Sequence, residues 1–265
     1  MSEGGKRAAR GAAAGVAGYA GWKGLKFVVP LLKLLKLAKL AKLAGSAGSM
    51  LLSIAVYSLT YGWRYATGFV LLLLLHELGH FAAAKRAGLN VGLPAFIPFV
   101  GAWIQLKDGF PDVETEARIA IAGPMLGTTA ALAVFVAWYV TKAEILLALA
   151  YAGFFLNLFN LIPLTPLDGG RVAAVISPWL WLAGLPILAA VFWYRPSGLL
   201  IFIGILAIPQ LIATFKKRND PALQAYHTAP LTARVGYGAL YLGLVGLLAV
   251  LSQWSYDTLE VLRHG

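Results

Sequence analysis

The stretch LLLLLHELGHFAAAKR, residues 71–86, sets two histidines and a glutamate inside an otherwise apolar run. Five leucines lead into His76, and Phe and Ala follow His80, so the run reads as a helix of the membrane, where ionisable side chains are expensive and need a reason to be there. On a helix, positions i and i+4 share a face. His76 and His80 can therefore offer two imidazole nitrogens to one ion, while Glu77, beside the first, reaches a water on that ion. Zinc suits such a pair: it binds neutral imidazole, has no redox chemistry, and brings its water to a pKa of about 7 when one position stays open. The competing reading is a pair of core histidines satisfied by hydrogen bonds.

A catalytic zinc draws three ligands from the protein as a rule. A third histidine six residues after His80 would fall at position 86, which is Arg86. Between Ile145 and Gly170 the only charged residue is Asp168, in NLFNLIPLTPLDGG (157–170), where Pro163, Pro166 and the two glycines break a helix. A carboxylate left unpaired in such surroundings is costly, and a cation removes the cost. Asp168 also suits the cap of a helix beginning near Arg171, or a partner for that Arg. Asp108, Asp112, Glu114 and Glu116 belong to one polar loop, Glu144 falls on the opposite side, and His227 lies in a polar segment where solvation is expected.

Composition agrees with the membrane reading. Of 265 residues 60% are hydrophobic and 12% charged, with a mean hydropathy of +0.76, far from a soluble domain's usual quarter charged. The absence of cysteine excludes disulfides and thiolate ligands. The formal charge of +11 is concentrated in the first 42 residues, and nothing resembles a nucleic-acid module, so the acidic partner expected is a bilayer with anionic headgroups. Residues 22–44 mix Leu with Lys33, Lys36, Lys39 and Lys42 and read as an amphipathic helix on the membrane surface. A basic stretch continuing to Lys42 is too long for the n-region of a cleaved signal.

Apolar runs of near-spanning length predict an all-α integral membrane protein with about six to seven transmembrane helices, at about 47–62, 68–86, 117–140, 144–164, 172–194, 197–215 and 234–253. Between the second and third, VGLPAFIPFVGAWIQLK (91–107) is too rich in Pro and Gly to span and too apolar for a solvated loop, which predicts a membrane-associated extended hairpin. With the N-terminus cytoplasmic, most Lys and Arg fall on that side, as the positive-inside bias requires. His80 then lies six residues, roughly 9 Å, from the cytoplasmic end of its helix, at a depth similar to Asp168. The chain divides into a basic N-terminal segment, 1–45, and one polytopic domain, 46–265, with its core at 68–175; a plasma-membrane location is expected.

H-E-L-G-H in a membrane helix followed by N-L-I-P-L-T-P-L-D-G resembles the site-2 protease family of intramembrane zinc metalloproteases, and ARIAIAGP (117–124) resembles that family's start of the next core helix. The resemblance implies metal ligands His76, His80 and Asp168, a catalytic base in Glu77, and a role for Asn160 in donating to the oxygen that gains charge as the scissile carbonyl becomes tetrahedral. Asn157, one turn earlier, could share that task or hydrogen-bond between helices. It also implies a hairpin at 91–107 that holds an extended substrate at a strand edge. The function implied is hydrolysis of a peptide bond within or near a transmembrane segment of a membrane protein or peptide. The rival from another class is a metal-ion transporter using the same His and Asp, with little need for Glu77.

Overall fold

The computed structural model describes residues 45–99, 101–104, 109–194, 196–216 and 220–264; the surface helix expected at 22–44 lies outside them. The chain is mostly helical. Residues 45–61 form α1, followed by α2 (Trp63–Arg86), the strands β1 (Ala95–Ile97) and β2 (Gly101–Trp103), α3 (Val113–Thr141), α4 (Glu144–Asn160) and α5 (Asp168–Ile176). A 3-10 turn at Pro178–Leu180 leads into α6 (Trp181–Tyr194), α7 (Gly198–Lys216), the short α8 (Pro221–Tyr226) and α9 (Leu231–His264). Among these α2, α3 and α9 are long and apolar enough to cross a membrane, and α4, α6 and most of α7 are shorter apolar helices.

Local chemistry explains where the boundaries depart from expectation. α3 starts at Val113, not Ala117, because the Asp112 carboxylate accepts from the Thr115 amide at 2.7 Å and from its hydroxyl at 2.9 Å, with Glu114 and Glu116 in the first turn against the helix dipole. α4 stops at Asn160, not at 164: the amides of Leu161 and Ile162 fall back on the carbonyls of Leu158 and Phe159 in a tightened last turn, and Pro163 cannot extend the ladder. The single span expected at 172–194 is two helices, α5 and α6. The break falls at Ser177 and Pro178, and the Trp181 indole donates to the Gly170 carbonyl at 2.6 Å, tying the start of α6 back to the first turn of α5.

The core is an α2–α3–α4 seam built on small residues. A Cβ at Gly79 would meet the carbonyl of Ala122, one at Gly123 the His80 ring, and one at Gly127 the Asn157 amide. Such close backbone approach is how membrane helices gain packing energy when lipid and side chains are equally apolar. α9 then packs across α4 and α5.

The hairpin pairs Ala95 with Trp103, Phe96 with Ala102 and Ile97 with Gly101, antiparallel. Phe96 is buried with Tyr57, Val70 and Leu73, one turn of α2 before His76. Its amide donates to Ser49 Oγ at 3.0 Å, and the Phe99 amide donates to the Tyr57 hydroxyl at 2.9 Å, so α1 holds both the first strand and the turn.

Candidate metal centre

α2 carries His76 and His80 one turn apart with their rings nearly perpendicular and their Nε2 atoms 3.1 Å from each other. Asp168, the first residue of α5, brings Oδ2 to 3.2 Å from each of those nitrogens. The three donor atoms form a triangle of 3.1–3.2 Å edges. Ligands held tetrahedrally at about 2.0–2.1 Å from a zinc ion would stand about 3.3 Å from one another, and the triangle has the dimensions of one face of such a tetrahedron.

The outer edges of the rings fix what the inner edges can be. Asn157 donates its amide to the Gly153 carbonyl at 2.7 Å, which turns its Oδ1 toward His76 Nδ1 at 2.8 Å. His80 Nδ1 donates to the main-chain carbonyl of Ile119 at 2.8 Å. Both imidazoles therefore carry their proton on Nδ1, and both Nε2 lone pairs face each other and a carboxylate oxygen. With His76 2% and Asp168 8% exposed, these three converging donor atoms are held together either by a shared proton or by a metal ion among them. Two neutral imidazoles and one carboxylate fit zinc, with a fourth position left for chemistry.

Asp168 is aimed by its surroundings. It lies in the first turn of α5, where helix amides favour a negative charge. The preceding loop is pinned: Tyr241 of α9 donates its hydroxyl to the Leu161 carbonyl at 2.5 Å. Gly169 and Gly170 leave no room for a Cβ, which would meet the Leu161 carbonyl and the Thr165 amide respectively. Arg171 does not pair with Asp168; its guanidinium lies over the Phe110 ring at 5.8 Å.

Glu77 is 5% exposed, its side chain makes no hydrogen bond to another described residue, and its carboxylate is close enough to interact electrostatically with His80, His76 and Asp168. Asn160 ends α4 half-buried, with no side-chain hydrogen bond among the described residues; the amide that meets a ligand is Asn157. His227 departs from expectation. It packs against Trp181 and Tyr226 with a buried, unpartnered Nδ1, and burial pushes its imidazole pKa below the ordinary value. Beside it the Tyr226 hydroxyl donates to Glu116 at 2.6 Å, and burial together with that carboxylate raises the phenol's pKa. Sequence reasoning missed the Ile119 carbonyl and Tyr241 altogether. The Gly123–Gly127 spacing was the available signal that α3 runs against the histidine helix.

Residues 64–143 match the model of peptidase family M50. The chain is similar to a zinc metalloprotease of Methanocaldococcus jannaschii, 32% identical over 42% of this chain and 34% of that one. It is also similar to Rip3 of Mycobacterium tuberculosis, 37% identical over 41% and 29%, and to stage IV sporulation protein FB of Bacillus subtilis, 31% identical over 39% and 36%. The chain spans about a third of the length of these relatives. The matched family segment contains His76, Glu77 and His80 but ends before Asp168, whose place beside them rests on the geometry alone.

Proposed function

We propose, from the match of residues 64–143 to the model of peptidase family M50 and the geometry of the site, that this protein is an intramembrane zinc metalloprotease that cuts a peptide bond within or near a membrane-spanning segment of its substrate. The observation that carries the reading is the buried triangle of His76, His80 and Asp168 with Glu77 beside it. The zinc metalloprotease relative favours hydrolysis over metal transit.

Zinc bound by the three residues supplies Lewis acidity toward a water and the scissile carbonyl. Glu77 takes a proton from the attacking water as its oxygen bonds to the carbonyl carbon, then passes that proton to the departing amine as the C–N bond breaks. Asn157 and the Ile119 carbonyl hold the imidazoles at fixed rotation and tautomer. Asn160, at the end of α4, is assigned to the developing oxyanion.

The remaining parts of the reading concern placement. Helices α1, α2, α3, α4, α6, α7 and α9 cross the bilayer, α5 re-enters from the cytoplasmic side to deliver Asp168, and the N-terminus is cytoplasmic in a plasma membrane. Lys85, Arg86, Arg118, Arg171, Lys216 and Arg234 then share the cytoplasmic side. Residues 1–45 form a basic surface segment on anionic headgroups, ahead of a catalytic domain at 46–265. The hairpin, a two-stranded sheet among the described residues, offers a strand edge to an unwound substrate at the level of the metal.

The test is Glu77→Gln in the full chain. Zinc content should stay at one per chain while cleavage of a single-span substrate falls by about 10²–10⁴-fold or more. Retained turnover rejects the mechanism, and loss of zinc from wild-type protein on His80→Ala without loss of fold checks the ligand set.

A further inference from the structure

A cavity of about 520 Å³ opens between α2, α3 and α9, away from the metal triangle. Its floor is apolar and small: Ala83 from α2, Ile121, Ala122 and Met125 from α3, and Gly236 and Leu240 from α9. Two exposed guanidiniums, Arg86 and Arg118, also line it. Arg86 is the last residue of α2 and Arg118 stands in the second turn of α3, so both mark the same end of this helix pair, where α9 also begins. Neither forms an ion pair with a carboxylate among the described residues. Arg118 spends one donor on the Thr115 hydroxyl at 3.1 Å and keeps the rest of its fork. From Arg118 the floor runs inward along α3 to Met125, about 10 Å at 1.5 Å per residue.

We propose that this groove is a binding site for one anionic phospholipid, its phosphate held by Arg86 and Arg118 and an acyl chain lying along the floor between α3 and α9. Charge decides the occupant. Two guanidiniums lining one groove, without a carboxylate partner among the described residues, suit a phosphate's oxygens, and they sit at the ends of apolar helices, where headgroups lie. A neutral helix would leave both charges uncompensated. The inference does not depend on the protease reading. It bears on the site all the same: Ala122 lines the groove and is also the residue against which Gly79 packs, and the next residue, Gly123, faces the His80 ring. A lipid wedged here braces the seam that sets His80.

Native mass spectrometry of the full chain in neutral detergent tests the proposal with phosphatidylglycerol, phosphatidylcholine and glycerol phosphate as probes. Wild-type protein should retain one phosphatidylglycerol about tenfold more strongly than phosphatidylcholine. Arg86→Gln with Arg118→Gln should abolish that preference. Gly236→Leu, where an added Cβ meets nothing within 4 Å, should fill the groove and lower retention with both arginines intact. Lys85→Gln, outside the groove, should leave it unchanged. An undiminished preference in the double arginine variant overturns the proposal, as does an equal loss in Lys85→Gln, which would mean diffuse surface charge. Binding of glycerol phosphate as tight as the lipid would make this an anion site without a lipid. Unchanged lipid retention in Gly236→Leu, with cleavage of a membrane-spanning substrate lost, would make it a peptide seat.

Discussion

α3 and α9 are the two longest helices among the described residues, 29 and 34 residues, with equally apolar central windows, yet 44% of that window is buried inside the protein in α3 against 22% in α9. Their glycines show why. Gly123 and Gly127 of α3 are filled by His80 and Asn157, whereas Gly236, Gly243 and Gly246 of α9 face nothing within 4 Å. Both glycines of α3 mark close contact, whereas in α9 three of four face open space and a Cβ at Gly238 would only graze Ile176. Apolarity alone brings a helix into a bilayer, and what it then touches depends on where its backbone can be approached. α3 is a structural partner of the candidate metal ligands. α9 leaves most of its surface to its surroundings and packs one face, with Tyr241 and Leu248 buried, across α4 and α5.

Substitutions that treat the two helices alike should sharpen that contrast. The largest effect is expected from Gly123→Val, which drives a branched side chain into the His80 ring; about 3 kcal/mol of stability should be lost, and bound zinc with it, measured by thermal unfolding and metal analysis. Asn157→Leu should follow. It leaves His76 Nδ1 without its acceptor and should weaken zinc affinity ten- to hundredfold in chelator competition while the helices stay assembled. Tyr241→Phe removes the hydroxyl held by the Leu161 carbonyl and should cost about 1 kcal/mol, with weaker zinc retention as the loop before Asp168 loosens. If that variant unfolds and binds zinc like wild type, α9 contributes nothing to the site and the contrast is wider than drawn. The smallest effect is expected at Gly243→Leu, within about 0.5 kcal/mol of wild type in thermal unfolding. A large loss there would break the comparison.

The same contrast explains what the sequence made legible. His76 and His80 could be read because charge-bearing groups stand out against leucine, and Asp168 because it is the lone acid in a long apolar stretch. Helix ends were less legible: Asp112 reads as part of a polar loop, yet its carboxylate caps α3, which starts four residues before the expected Ala117. The break between α5 and α6 was not legible. Pro178 sits at the break and Pro186 lies inside α6, so proline did not separate the two cases; the Trp181 indole on the Gly170 carbonyl is a contact between residues eleven apart that hydropathy does not encode. Asn157 and Asn160 differ by one turn in the sequence and could not be ranked without the rotation of α4, which an all-round apolar helix does not reveal.

The two imidazoles are oriented by unlike means, a side-chain amide for His76 and a peptide carbonyl for His80. An engineer can retune the first by exchanging residue 157 for a carboxylate, an alcohol or a hydrocarbon, changing how much electron density that ring lends the ion. No exchange at position 119 removes a peptide oxygen, so the second ring keeps a constant basicity. The candidate centre thus has one ring whose orientation is adjustable and one that behaves as a fixed reference.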